Sequence, residues 1–225
     1  MKRSERRKKN KFKKILIVFL IICIIGIIVY FLLNVKTKNI VILNNDYYSD
    51  EEIIETANIE NYPEFILLNT NNIKNKLKKL DLIEDVSIRK KWGFILEIDV
   101  KESSILYYVR SKEEYMASNY KTYNFDNING VPTLINFVPE NVEKQFVKGF
   151  SKIDKNIISL ISEIEYSKTA YDEKRFLLYM NDGNEVYITV GKINLLNKYV
   201  DIVKKLSNKN GILYLDSGNY FEIKK

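Results

Sequence analysis

The sequence predicts an α+β architecture carried on one membrane-spanning helix, and three observations lead there. Ile15 to Leu33 carry no charge, and nine Lys or Arg residues stand directly in front of them. Strand-type and helix-type periodicities alternate after that run. Val86, Ile88, Phe94, Leu96, Ile98 and Val100 fall on alternate positions, with Glu97, Asp99 and Lys101 between them, the period of a strand buried on one face. The expected organisation is a basic cytoplasmic tail (1–14), a transmembrane helix (15–33), a β-α-α-β-β domain (35–103) and a mixed α/β domain with a mainly antiparallel sheet (104–225).

The apolar run is 19 residues long, so as a helix it reaches about 28 Å, close to the ~30 Å hydrocarbon core of a bilayer. A cleaved signal peptide also pairs a basic front with an apolar middle, but its apolar part is shorter and ends in small residues. Here the exit reads Leu32-Leu33-Asn34-Val35-Lys36. A buried core helix would rarely be uncharged on every face for this length. The positive-inside rule keeps the basic tail in the cytoplasm and places everything after Asn34 outside.

Beyond the span, Asn39 to Leu43 is a short β-type run. Ser49-Asp50-Glu51-Glu52 has the form of a capping box, with Ile53, Ile54 and Ala57 as the apolar face of the helix it opens. Thr70 is the expected cap of a second helix with face Ile73, Leu77 and Leu80. Two strands follow, joined at Trp92-Gly93. In the last region Ile105 to Arg110 and Lys121 to Asn124 read as strands. Val142, Phe146, Phe150 and Ile153 mark a helix face, and Asp154 is placed to cap a short helix through Ile161. Arg175 to Asn181 and Glu185 to Val190 flank Asp182-Gly183, a favoured hairpin dipeptide. Ile193, Leu196, Val200, Val203 and Leu206 are the expected face of a helix stopped by Gly211. Ile212 to Leu215 and Asn219 to Lys224 complete the reading as strands. Glu113 to Asn136 shows no firm pattern.

Composition removes several functions. The formal net charge is +7, but the first fourteen residues supply +8 of it, leaving −1 for the rest. The outer segment therefore has no field that would draw nucleic acid. There is no histidine, which removes the commonest general base and metal ligand. The single cysteine, Cys23, lies in the span, so neither an internal disulfide nor a thiolate zinc site can form. No cofactor and no small-molecule substrate is expected.

The segment Val86-Ser87-Ile88-Arg89-Lys90-Lys91-Trp92, with its alternating strand to Val100 and the acid Glu102, resembles the FtsQ/DivIB cell-division proteins. Further support comes from Ile161-Ser162-Glu163-Ile164, Asp182-Gly183, Lys198 within its helix, and Asp216 with Tyr220-Phe221. Two positions depart from the family pattern: Gly93 stands where a Pro usually follows the Trp, and Asn44-Asn45 replaces Gly-Asn. The resemblance implies a POTRA-like domain after the membrane helix and a C-terminal β domain. It also implies a non-catalytic scaffold at the division septum, binding membrane partners of the FtsB/DivIC and FtsL type.

The candidate partner-binding residues are Tyr220, Phe221, Ile223, Arg89 and Trp92. The strand Asn219 to Lys224 is the last in the chain, a place where a sheet edge is often left open to a strand from another protein. Tyr220 and Phe221 offer aromatic area on opposite faces. Arg89 and Trp92 have a plain alternative, in which the Trp covers the sheet end and the Arg pairs with an acid. Two other functions compete. A membrane-anchored Ser/Lys hydrolase of signal-peptidase type needs no histidine, and Ser103-Ser104 beside Lys101 is its nearest approach, although no Ser-Met-Pro motif is present. An outward sensor or adhesion domain needs only the anchor, and the short tail leaves a sensor no cytoplasmic signalling module.

Overall fold

The computed structural model describes residues 2–125, 128–206 and 210–224, with side chains described from Lys13 onward. Most of the basic tail thus lies outside the residues whose side chains are described. The first helix, α1, runs over Lys2–Leu33. Its stretch Lys13–Leu33 is long and apolar enough to cross a membrane, and none of the described residues buries it. An uncovered apolar surface of that length fits a lipid environment. The chain divides into two compact units, Met1–Glu102, which includes α1, and Ser103–Lys225.

In the first unit the β-α-α-β-β order is β1 (Asn39–Leu43), α2 (Asp50–Ala57), α3 (Thr70–Leu77), β2 (Ile83–Lys91) and β3 (Ile95–Glu102). The sheet order is β1-β3-β2. β1 runs parallel to β3 from Asn39 opposite Ile95, and β2 runs antiparallel to β3 with Lys91 opposite Ile95. The alternation read from the sequence sorts the two faces. Val86, Leu96, Ile98 and Val100 bury against Ile53, Ala57, Ile73 and Leu77 of the helices. The opposite face is a layer of ion pairs: Arg89 with Glu97 and Asp99, Lys91 with Glu97, and Lys101 with Glu84.

Both hydrogen bonds of the Ser49/Glu52 capping box form. The cap of α3 is Asn69 rather than Thr70; its side chain accepts from the Asn72 N–H, and Thr70 becomes the first helical residue. Either side chain suits an N-cap, and the backbone makes its turn one residue earlier than expected. Asn44 takes φ +61°, the left-handed geometry that asparagine tolerates. Gly93 sits at φ +84°. A proline, fixed near −65°, could not stand there.

In the second unit a mixed nine-stranded sheet has the order β12-β11-β10-β9-β8-β7-β4-β5-β6. Its strands are β4 (Ile105–Val109), β5 (Glu114–Ala117), β6 (Thr122–Tyr123), β7 (Thr133–Leu134), β8 (Ile161–Tyr166), β9 (Arg175–Met180), β10 (Glu185–Thr189), β11 (Gly211–Tyr214) and β12 (Tyr220–Ile223). Five strand pairs are antiparallel and three parallel, so the sheet is mainly antiparallel. The helix α4 (Glu140–Phe150) lays Val142, Phe146 and Phe150 of the predicted face into the core; Ile153, the fourth residue of that face, lies beyond the helix end and is buried in the same core. Phe146 stacks on Phe176 at 4.1 Å and on Phe150 at 5.0 Å. The buried Glu143 carboxylate accepts from the Tyr107 and Tyr120 hydroxyls.

Three expectations are corrected here. The helix after Asp154 is the single turn α5 (Lys155–Ile158), and Ile161 already belongs to β8. Ile193 to Leu206 is not one regular helix. A 3-10 segment, Val190–Lys198, leads into α6 (Tyr199–Lys205), so the register shifts, Tyr199 is buried and Val200 is exposed. Gly211 does not stop a helix; it begins β11, where a side chain would run into β12.

Candidate functional site

β12 ends the order of the nine-stranded sheet, and among the described residues it pairs with β11 alone. Its register sets Tyr220 opposite Tyr214 and Ile223 opposite Gly211, and the Lys224 N–H donates to the Asn210 carbonyl. In an antiparallel ladder bonded and non-bonded pairs alternate. Tyr220 and Glu222 therefore turn their backbone groups to β11, and Phe221 and Ile223 turn theirs outward. The outward row is what another strand would need in order to extend the sheet.

The predicted side chains separate into different roles. Tyr220 and Ile223 are each 51% exposed, whereas Phe221 packs against the core and covers the Gly211 backbone. Tyr220 stacks on Tyr214 at 4.4 Å, Tyr214 on Tyr187 at 5.3 Å, and the Arg175 guanidinium lies 3.6 Å from the Tyr187 ring centre. One cation and three rings thus line up across β9, β10, β11 and β12 on a single face. The tyrosines at 187 and 214 and Arg175 were not among the sequence candidates. Their spacing in the chain gives no hint of the ladder, because it exists only through strand register.

Asp216 fixes the cation end. Its carboxylate accepts from Arg175 Nε at 2.7 Å, with both side chains largely covered. Burial pushes this carboxyl up, but the hydrogen bonds from Arg175 and Ser217 outweigh it, and the net displacement is downward. A carboxyl depressed in the folded state stabilises the protein above its unfolded pKa, and that contribution is lost as the pH falls through the folded value. Asp216→Asn should cost about 2 kcal/mol at neutral pH. The difference from the parent should shrink as the pH is taken below roughly 4. Thermal midpoints measured across that range check it; a gap independent of pH would refute the assignment.

Arg89 and Trp92 do not form one patch. Arg89 is held mid-sheet by Glu97 and Asp99, at 3.0 Å to each. Trp92 does not cover the sheet end, for it is 98% exposed at the tip of the β2–β3 turn. The ring that closes the end is Phe94, packed edge-on against Phe65 at 5.6 Å.

The residues considered for hydrolysis lack the required environment. Lys101 Nζ is ion-paired to Glu84 at 2.6 Å, and this pairing raises its pKa. A lysine base needs the opposite, a desolvated amine with a lowered pKa. Ser103 is fully buried. Among the described residues no group of three acidic or thiol side chains is placed to hold a metal ion.

Comparison with known proteins adds an independent line. Residues 35–103 match the family model described as POTRA domain, FtsQ-type. The cell division protein DivIB of Brevibacillus brevis is 26% identical over 228 residues, covering 97% of this chain and 86% of that protein. DivIB of Bacillus subtilis is 26% identical over 232 residues, covering 98% and 87%. The solved major extracytoplasmic domain of DivIB from Geobacillus stearothermophilus aligns with 48% of this chain and 96% of that one, at 22% identity and a TM-score of 0.40.

Proposed function

The chain belongs to the FtsQ/DivIB family of cell-division proteins, and we propose that within it the protein is a non-catalytic, single-pass membrane scaffold that binds division partners through the open edge of β12. The observation that carries this reading is the edge itself: outward backbone groups at Phe221 and Ile223, flanked by the exposed side chains of Tyr220 and Ile223. The partners are coiled-coil membrane proteins of the FtsB/DivIC and FtsL type, met outside the membrane at the septum. Backbone pairing supplies affinity that is insensitive to sequence, and the tyrosine face and Ile223 supply selectivity. Anchoring in a shared membrane raises the effective concentration of each partner, so a short strand contact is sufficient.

The test is capture of the partners by the full-length protein in membranes. Changing Tyr220 and Ile223 together to Lys removes exposed apolar area without touching the core. It should weaken capture by roughly 30-fold, the effect of losing about 2 kcal/mol at a central contact. Undiminished capture by a folded variant would show that the partner docks elsewhere.

A further inference from the structure

Beyond the partner edge, and resting on the reading of residues 15–33 as a membrane span, we propose that the β2–β3 turn and the α2–α3 loop of the first unit form a docking surface for the anionic lipid headgroups of the outer leaflet. The tether fixes where this end of the sheet must lie. Val35 is two residues past Leu33, so its backbone lies within about 7 Å of the end of the span. The headgroup layer is itself roughly 5–7 Å deep per leaflet. The Val35 carbonyl accepts from the Phe65 N–H at 2.9 Å, the Thr37 N–H donates to the Pro63 carbonyl at 2.9 Å, and the Lys38 N–H donates to the Phe94 carbonyl at 2.9 Å. The first residues to leave the membrane are therefore bonded directly to the loop at 62–67 and to the turn at 92–94.

The topology agrees. β1 is parallel to β3, with Asn39 beside Ile95, and the turn immediately precedes Ile95. The tip of the hairpin thus sits at the same end of the sheet as the membrane exit, whatever the tilt of α1.

The chemistry of that end suits a lipid surface. Trp92 is 98% exposed, Leu67 64%, Ile66 43% and Tyr62 42%. Tryptophan and tyrosine favour the headgroup level, where an apolar ring and a polar edge are both satisfied. Lys36, Lys38, Lys90 and Lys91 are exposed around them, against the exposed acids Glu60 and Glu64, while Glu97 is engaged by Arg89 and Lys91. Lys38 lies over the Phe94 ring and Lys90 over the Phe65 ring, each at 5.6 Å, and Lys90 Nζ donates to the Ile66 carbonyl at 3.0 Å. The cations are held beside the apolar tip, an arrangement that complements phosphate headgroups over a hydrocarbon layer.

Trp92 is the only tryptophan in the chain, so its fluorescence reports this surface alone. Full-length protein is reconstituted in vesicles of phosphatidylglycerol and phosphatidylcholine in equal parts. Resistance to alkaline extraction, read separately, establishes the anchor. The expected result is a blue-shifted emission and roughly twofold quenching by a spin label near the headgroup, with weaker quenching by one deep in the acyl chain. Both effects should fall in vesicles of phosphatidylcholine alone and in the variant carrying Lys38→Glu with Lys90→Glu. An anchored protein whose Trp92 is quenched by acrylamide as freely as N-acetyltryptophanamide would overturn the docking and leave the anchor standing. So would a Trp92 that is shielded only when a protein partner is added. Extraction of the protein at high pH would overturn the anchor itself.

Discussion

Gly211→Val is expected to detach β12 and abolish partner capture while leaving the rest of the second unit folded. A Cβ at Gly211 would collide with the Glu222 carbonyl and come within 2.6 Å of the Phe221 ring. Neither neighbour can yield cheaply: the first is backbone of the facing strand, and the second is the ring that ties β12 to the core. On the other side the Gly211 N–H donates to Asn184 Oδ1, whose Nδ2 donates in turn to the Tyr199 hydroxyl. The β11 backbone therefore has no room to retreat. Overpacking of this kind costs about 1–3 kcal/mol, and the larger valine should sit at the upper end. A four-residue strand paired on one side only has little with which to offset that loss. Near-ultraviolet circular dichroism should keep the signal of the aromatic core, while capture falls to background. Retained capture would mean that β12 is not the contact, or that β11 moves more freely than its hydrogen bonds imply.

Phe146→Ala should have the largest effect on stability. Phe146 is fully buried, stacked between Phe176 and Phe150 and 6.0 Å from the Tyr107 ring. Its removal leaves a cavity whose walls are rings of one helix and two strands, which cannot collapse together without breaking sheet register. A cost of about 4 kcal/mol follows, or roughly 15 °C in the midpoint of a unit of this size. Thermal or denaturant unfolding of the full chain, followed by the near-ultraviolet signal, checks it. A loss under about 1 kcal/mol would show that the aromatic stack is not the centre of this core.

How far the fold could be read from residues depended on how local each signal was. The Ser49/Glu52 box, the hairpin at Asp182-Gly183 and the face Val142, Phe146 and Phe150 are written within a few residues of one another, and each formed as expected. The strands β5 and β7 are hard to read from the sequence because they are only four and two residues long, and β7 also pairs out of chain order, lying between β4 and β8. Two residues do not establish a period. The stretch from Ile193 to Leu206 misled for a related reason: its apolar spacing fits a regular helix, but the chain tightens to 3-10 geometry first and turns Tyr199 inward. There the Tyr199 hydroxyl bonds Asp182 and Asn184 and joins the hairpin turn to β11.

The candidate site was legible in part. Composition excluded histidine chemistry and disulfides, and the last strand was singled out with Tyr220, Phe221 and Ile223. Which of them face outward depends on pairing partners more than thirty residues away in the case of Tyr187, so the ladder from Arg175 to Tyr220 was hidden. The same is true of Arg89 and Trp92. Three residues apart in the chain, they are separated by the pleat and the turn into an ion-paired strand residue and an exposed tip.

The central claim is that a partner strand pairs with the free edge of β12. Residue-resolved amide hydrogen exchange tests it most directly, on the full-length protein in membranes with and without the proposed coiled-coil partner. The Phe221 and Ile223 amides point away from β11 and should exchange rapidly in the free protein, then slow by roughly a hundredfold or more on partner binding, as amides newly bonded in a sheet do. The Tyr220 and Glu222 amides, already bonded to β11, should change far less. A complex that forms while Phe221 and Ile223 exchange as in the free protein would contradict the account.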